Sequence, residues 1–492
     1  MSENLLNPEI ARKRINESKI LFLAFFLLNV YSVQSQFTWS RILGEPMLNE
    51  ISWKCLTLKD SNFLIVGEKW IRYNNSAIQQ SYLVKYDRKG RVLWQKTFGD
   101  SVSSCYAYSA VEDPLGNIYL SSNWSTPRLI KIDQFGNLLW QRSYGYPILE
   151  FGGIQFVDEN KNLLMISQND SSGILLTAGL TKVDSSGNFL WTRNYNDSLE
   201  YEVSYDGFLA TPEGYYMVGR RLGTVSNSSF YMKVDTSGIV LWKKFTSIRA
   251  IFFSICQNSN KSFIAVGNRP ELGTLFCLKF DIAGDTIWQR NYNAESVATG
   301  VAIVKTFRND FVIATSAYTK DAKIVFIDSL GNLSQVVTHN YSHSDAVYYQ
   351  SIDNASDSGY IISGYIEQNE SGTVDFLTVK TNKLGNTTPI GIVNQNEIVK
   401  NFKLGVKIFP NPFNSQTIME IETDKPGFVE LKLFDLSGRE ITIIYKGYIS
   451  GPFKFHFLAE QYSLASGIYF LKVGSIKGTQ NDFITKKIVY IK

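Results

Sequence analysis

The chain has 492 residues, 44% hydrophobic, 14% aromatic and 19% charged. That balance excludes a disordered, tail-like protein, which lacks the apolar surface needed to offset chain entropy. A formal net charge of +4 over this length leaves no basic stripe for nucleic acid and no patch for an anionic membrane.

Residues 1–35 read as a secretory leader. Arg12, Lys13, Arg14 and Lys19 precede an apolar run from Ile20 to Val30, and Val33-Gln34-Ser35 offers small residues for cleavage before Gln36. The run is short for a membrane span, and no later stretch approaches spanning length. The mature protein is therefore expected to be exported and to carry no transmembrane segment.

From Gln36 onward one unit recurs. Its clearest copy is Lys182-Val183-Asp184-Ser185-Ser186-Gly187-Asn188-Phe189-Leu190-Trp191-Thr192-Arg193, or Lys-x-Asp-x-x-Gly-x-x-x-Trp-x-Lys/Arg. Asp184 is placed to accept a backbone N–H two residues on, and Gly187 stands at the fourth turn position, where Gly is favoured. Apolar runs on either side predict two short strands, with Trp191 and Arg193 on one face. A lone hairpin is only marginally stable in water, so the copies must pack together.

Further copies are Asp87, Gly90, Trp94; Asp133, Gly136, Trp140; Asp235, Gly238, Trp242; and Asp281, Gly284, Trp288. Two decayed copies follow: Asp328 and Gly331 lead to Gln335, and Asn382 and Gly385 lead to Pro389. Successive Asp or Asn positions (87, 133, 184, 235, 281, 328, 382) lie 46 to 54 residues apart, the period of four-stranded propeller blades. A second ladder of short strands matches the hairpins one for one: Phe63–Gly67, Ile118–Ser122, Leu163–Ser167, Tyr215–Gly219, Phe263–Gly267, Phe311–Thr315 and Tyr360–Gly364. Phe37-Thr38-Trp39-Ser40-Arg41 is the second half of a hairpin without a first, whereas Asp375–Asn382 is a first half whose second is spoiled by Pro389. The expected fold is all-β: a seven-bladed β-propeller over 36–388, closed by the N-terminal strand through Trp39, which removes the open edges of the stack.

The Asp-x-x-Gly-x-x-x-Trp hairpins resemble those of quinoprotein-type and related secreted β-propellers, in which the Trp docks between neighbouring blades. No two of Cys55, Cys105, Cys256 and Cys277 are adjacent, so the vicinal disulfide of some quinoprotein dehydrogenases is absent and no cofactor follows. Four cysteines in an exported chain allow three pairings. All four lie in apolar, strand-like surroundings where a free, buried Cys is common.

Residues 389–404 read as a polar linker. Beyond it, Val429-Glu430-Leu431-Lys432-Leu433 alternates as a half-buried strand does, and residues 405–492 are expected to form a small antiparallel β-sandwich. Phe409-Pro410-Asn411-Pro412, Phe434-Asp435-Leu436-Ser437-Gly438-Arg439, Gly467-Ile468-Tyr469 and the Lys-containing last strand resemble the type A C-terminal sorting domain of the Bacteroidetes type IX secretion system. The resemblance implies passage through the periplasm, engagement of the type IX machinery, and delivery across the outer membrane to the cell surface or medium.

Sites are harder to read. His339, His343 and Asp345 lie near one another, in what reads as the connection into the last blade, and are the candidate ligand-binding set. His456, within Phe453-Lys454-Phe455-His456-Phe457, reads as structural. The repeated Asp residues lack the clustered carboxylates of a calcium loop, and turn-capping explains them without a metal. The basic residues two after each Trp (Arg41, Lys96, Arg142, Arg193, Lys244, Arg290) are expected beside the indole rather than in one polyanion-binding patch. No nucleophile elbow, phosphate loop or metalloprotease motif is present. Two functions of different class remain: a non-enzymatic propeller that binds a glycan or other macromolecule, and a secreted carbohydrate-active or other degradative enzyme. The binding role is the expectation, supported by aromatic, Asn-rich loops such as Asn194-Tyr195-Asn196 and Asn291-Tyr292-Asn293.

Overall fold

The computed structural model describes residues 36–491 apart from 45–47, 74–75, 100–103, 125, 171–175, 196–200, 204–206, 223–227, 260, 294–298, 318, 342–343, 369–372, 389–403, 424–426, 450–452, 463 and 476–482. The described residues form strands and turns, with a 3-10 turn at Ala459–Tyr462. The expected leader therefore lies outside the described residues, as does nearly all of the expected linker.

One sheet explains the others. Ile148–Phe156, Leu163–Asp170, Leu176–Val183 and Phe189–Asn194 pair antiparallel in that order. Leu163, Leu164, Met165 and Ile166 are all fully buried. That strand lies inside its sheet with neighbouring sheets on both faces, so it reads as a continuous apolar run rather than an alternation. Residues 50–98, 105–143 and 251–292 repeat the pattern, as does 201–245, where two short segments, Tyr201–Val203 and Phe208–Thr211, share the place of the first strand. An eight-stranded sheet joins a sixth unit, 299–340, to a last one made of 344–381 and Trp39–Leu43, through pairs such as Ser316–Tyr348. Apolar clusters fill the spaces between successive sheets: Leu164 and Ile166 pack with Met217 and Met232 of the next.

The N-terminal strand takes the outer place in the last unit. Trp39 pairs with Lys380 in the register by which Trp94 pairs with Lys85, Trp140 with Lys131 and Trp191 with Lys182. The last unit in turn touches the first, where Ser52 Oγ donates to Gly364 O at 2.6 Å and the Thr57 N–H to Asp353 Oδ2 at 2.8 Å.

The C-terminal region is a sandwich of two sheets. Leu404–Phe409, Gln416–Thr423 and Phe453–Leu458 form one, and Glu440–Ile449, Gly427–Phe434, Gly467–Ser475 and Phe483–Tyr490 the other. Val429, Leu431 and Leu433 are fully buried, while Glu430 and Lys432 between them face outward into ion pairs with Lys446 and Glu440. This is the two-residue period of a half-buried strand. Asn411 ties the last strand to the first, its amide donating to Lys487 O and its Oδ1 accepting from Val489 N, both at 2.8 Å. Thr417 Oγ1 donates to Pro410 O at 2.7 Å, between the Phe409-Pro410 and Asn411-Pro412 peptide bonds, both cis. Tyr469, just after Gly467, donates its hydroxyl to Ala465 O. His456 sits on an exposed face of its strand.

Candidate functional site

The interface between successive units is assembled from the repeat itself. In each hairpin the Asp carboxylate accepts the N–H groups two and four residues on; for Asp184 these are Ser186 and Asn188, each at 2.8 Å. Burial opposes ionisation of Asp184, but these bonds outweigh it and hold its carboxyl below the usual range. Gly187 closes the turn at φ +79°, a left-handed conformation natural to Gly. Over it lies the Trp of the preceding unit: a Cβ on Gly187 would come within 2.9 Å of the Trp140 ring.

Trp39 covers Gly90, Trp94 Gly136, Trp191 Gly238, Trp242 Gly284 and Trp288 Gly331 in the same way. Where the indole N–H finds a partner it is the carbonyl after the hairpin's Asp: Arg88 O for Trp39 at 3.2 Å, Gln134 O for Trp94 at 3.3 Å and Ile282 O for Trp242 at 3.0 Å. The basic residue two after the Trp lies over the indole, with Arg193 5.4 Å from the Trp191 ring and Arg142 5.9 Å from that of Trp140. Such a cation gains from the ring quadrupole. Arg41 and Arg142 also donate to hairpin carbonyls of the next unit, Gly90 O and Ser186 O.

Four residues after the Trp, a second residue latches the same hairpin. The hydroxyls of Tyr144, Tyr195 and Tyr292 donate to Gly187 O, Gly238 O and Gly331 O at 2.7, 3.1 and 2.7 Å. This pattern corrects the reading of two segments. Tyr195 and Tyr292, expected on aromatic loops, are buried latches.

His339 needs the same correction. It is not in a connection but on the strand Leu333–Asn340, in the place of the latching Tyr. Its Nε2 donates to Gly385 O at 2.8 Å, leaving Nδ1 to accept the Tyr349 hydroxyl at 2.5 Å, which in turn meets Tyr341 at 3.0 Å. Burial holds the imidazole neutral by lowering its pKa. Both nitrogens are engaged by the protein, so His339 has none to offer a metal. Asp345 is exposed on the strand Ser344–Asn354, and His343 lies outside the described residues. Of the expected set, His339 is thus a buried latch and Asp345 an exposed strand residue. Among the described residues no group of His, Cys, Asp and Glu is placed to hold a metal ion. The cysteines are free, and burial pushes the thiol of Cys55 up to about 12 and that of Cys256 to about 11.

One interface departs from the others. Between the sixth and last units the cross-strand pair is Phe326–Gln335, where the other units pair Lys with Trp. The turn persists: Gly385 has φ +82° and Asn382 accepts Leu384 N and Asn386 N. Its cover has changed strands, because Phe326 and Ile324 now meet Gly385. Beside Phe326 and Gln335 lies a cavity of about 360 Å³. Phe326 and Tyr360, 5.9 Å apart and edge to face, form its aromatic wall. Gln335, Arg308, Asp310, Lys383 and the exposed Phe307 and Leu384 line the rest. Its size falls within the range of small-ligand sites. Sequence reading marked Gln335 only as decay; the signal that locates the cavity is the paired change of Lys to Phe and Trp to Gln on facing strands.

Among the described residues no helix is long and apolar enough to cross a membrane. No curated protein matches the sequence. Among solved structures the chain is similar to a protein of unknown function from Bacteroides caccae, at 11% identity and TM-score 0.37, covering 60% of this chain and 94% of that one. It is also similar to BamB from Moraxella catarrhalis, at 11% and 0.35, covering 61% and 81%. A third likeness is to Kuenenia stuttgartiensis hydrazine synthase, at 12% and 0.47, covering 67% and 95%. The propeller architecture rests on the repeated sheets themselves. Residues 407–492 match the family model described as the secretion system C-terminal sorting domain. The protein is accordingly a propeller-type all-β chain joined to a type IX sorting domain, exported by that system to the cell surface or the extracellular space.

Proposed function

We propose that this is a non-enzymatic binding protein. After removal of a leader at 1–35, residues 36–388 form a seven-bladed propeller closed by the Trp39 strand, which presents a ligand site at the cell surface, and residues 405–492 serve as its export signal. The observation that carries the reading is the cleft between the sixth and last units. There the turn of the repeat is kept, the Lys–Trp pair of the other interfaces is replaced by Phe326 and Gln335, and an open cleft lies beside them. A fold made of sterically matched copies loses packing at such a place, and the loss is tolerable where the opening has a use.

Purified protein incubated with a panel of polysaccharides and proteins should retain at least one member without altering it. Turnover of any member would replace this reading with that of a degradative enzyme. For export, deletion of residues 405–492 should leave the protein in the periplasm, and normal surface delivery without that segment would reject the assignment of the signal.

A further inference from the structure

We infer that the outer strands of the second, third and fourth units dock the protein on a phospholipid surface, with apolar side chains entering it and arginines meeting its phosphates. The inference goes beyond the binding role proposed above and does not rest on the cleft. Each of these strands leaves its turn in the same order: two apolar residues, the indole, one further residue and a cation. Leu138-Leu139, Phe189-Leu190 and Val240-Leu241 are each 43 to 55% exposed, although all six stand within strands. The pairs make one band, because Trp140 lies over Gly187, two residues before Phe189, and Trp191 over Gly238, two before Val240. In the first unit the matching Val92 and Leu93 are half-buried, with Leu93 packed on the apolar cluster of its interface.

A contiguous exposed apolar surface marks a protein or a membrane contact, and the order along the strand selects the membrane. Past the apolar band come the half-buried indoles, then Arg142 and Arg193, both exposed, and Lys244, half-buried beside Asp285. At about 3.3 Å per residue the cations stand roughly 10 Å beyond the band. An interfacial element buries its apolar side about 5–10 Å into the headgroup boundary, with Trp and Arg at the polar level. Asp184 feels the charge of Arg142, yet its oxygens are filled by Ser186 N, Asn188 N and the Asn188 amide. Arg142 gives its Nε–H to Ser186 O, and a guanidinium has further N–H groups for a phosphate. Glu159 and Glu213, exposed on turns of the third and fourth units, oppose an anionic lipid, so the apolar band supplies the main attraction. Net charge gives no sign of this surface, which is an order along strands and not an excess of one sign. The sorting domain carries the chain past the outer membrane, so a lipid surface is at hand.

The test uses the chain from Gln36 onward, so that the apolar run Ile20 to Val30 contributes nothing, and vesicles of equimolar phosphatidylcholine and phosphatidylglycerol. Saturable co-sedimentation with the vesicles is expected. Leu139→Glu, Leu190→Glu and Leu241→Glu together should weaken it about tenfold or more and leave the denaturation midpoint in place, since all three side chains are already exposed. Arg142→Gln with Arg193→Gln should weaken it about threefold to tenfold. Leu436→Glu, at an exposed apolar residue of the sorting domain, should bind as the wild type does. Absence of vesicle binding by the wild type, or undiminished binding by either set of substitutions, would overturn the inference. A wild-type dimer that the three Glu substitutions make monomeric, with no vesicle bound, would also overturn it and give the band to a second copy. Retention of a member of the polysaccharide and protein panel alongside such a failure would leave the binding role intact.

Discussion

Two turns with the same sequence logic sit in different surroundings. Asp184 to Asn188 and Asp435 to Arg439 share their backbone bonds, with the first N–H meeting the fifth carbonyl at 2.9 and 3.0 Å and the fourth N–H meeting the first carbonyl at 2.9 and 3.1 Å. Their glycines have φ +79° and +80°. Yet Gly187 lies under Trp140 and Arg142, while Gly438 has open space where a Cβ would stand. The turn is thus a local object, made by an Asp or Asn side-chain oxygen and a left-handed Gly three positions on. The lid over it is a tertiary one. The Gly385 turn makes the same point inside the propeller, because it survives although its Trp is gone.

The comparison sharpens first where the lid is largest. Trp39→Ala removes a side chain only 4% exposed that both covers Gly90 and anchors the N-terminal strand. It should cost about 3–5 kcal/mol, read as a lowered denaturation midpoint. An unchanged midpoint would show that the strand does not close the ring. Gly187→Ala and Gly438→Ala separate turn from lid: the first meets both backbone strain and the Trp140 ring, at about 2–4 kcal/mol, and the second strain alone, at about 1 kcal/mol. Equal costs would mean that the indole yields freely.

His339→Ala leaves Gly385 O and the Tyr349 hydroxyl without their partner and should cost about 1–3 kcal/mol. Its pH dependence has a definite sign. The folded imidazole titrates below its ordinary 6.5, so the unfolded chain binds a proton first as pH falls. The stabilisation is therefore complete above about pH 6.5 and declines below it. His339→Tyr, which installs the latch seen at Tyr144, Tyr195 and Tyr292, should flatten that decline, and a pH profile identical to the wild type's would remove His339 from its cause. The smallest effect is expected from Gln335→Trp, a gain of under about 1 kcal/mol, since Phe326 already covers part of Gly385. A loss of stability there would show that the sixth interface has closed around its own pair and has no room for an indole.

Much of this architecture was legible because it is written locally. The Asp–Gly turns, the Trp two residues from a cation and the alternation in residues 429–433 each follow from short-range geometry that any one copy displays. The unpaired halves at Trp39 and Asp375 pointed to their pairing because strands leave complementary remainders. The site was less legible. His339 looked like a ligand because a scarce residue near a second His and an Asp suggests chemistry; only its alignment four places after Gln335 reveals it as a latch. Tyr195 and Tyr292 read as parts of binding loops because Asn flanks them.

By itself the chain determined its hairpins, their number and spacing, and the sorting domain, since turn formation and strand period depend on neighbours within a few residues. Tertiary structure decided what covers each glycine, which aromatic residues are latches, and where an interface between units is left open. Those outcomes depend on side chains about fifty residues apart meeting across two sheets. A cavity is a failure of such a meeting, and no single copy of the repeat records it.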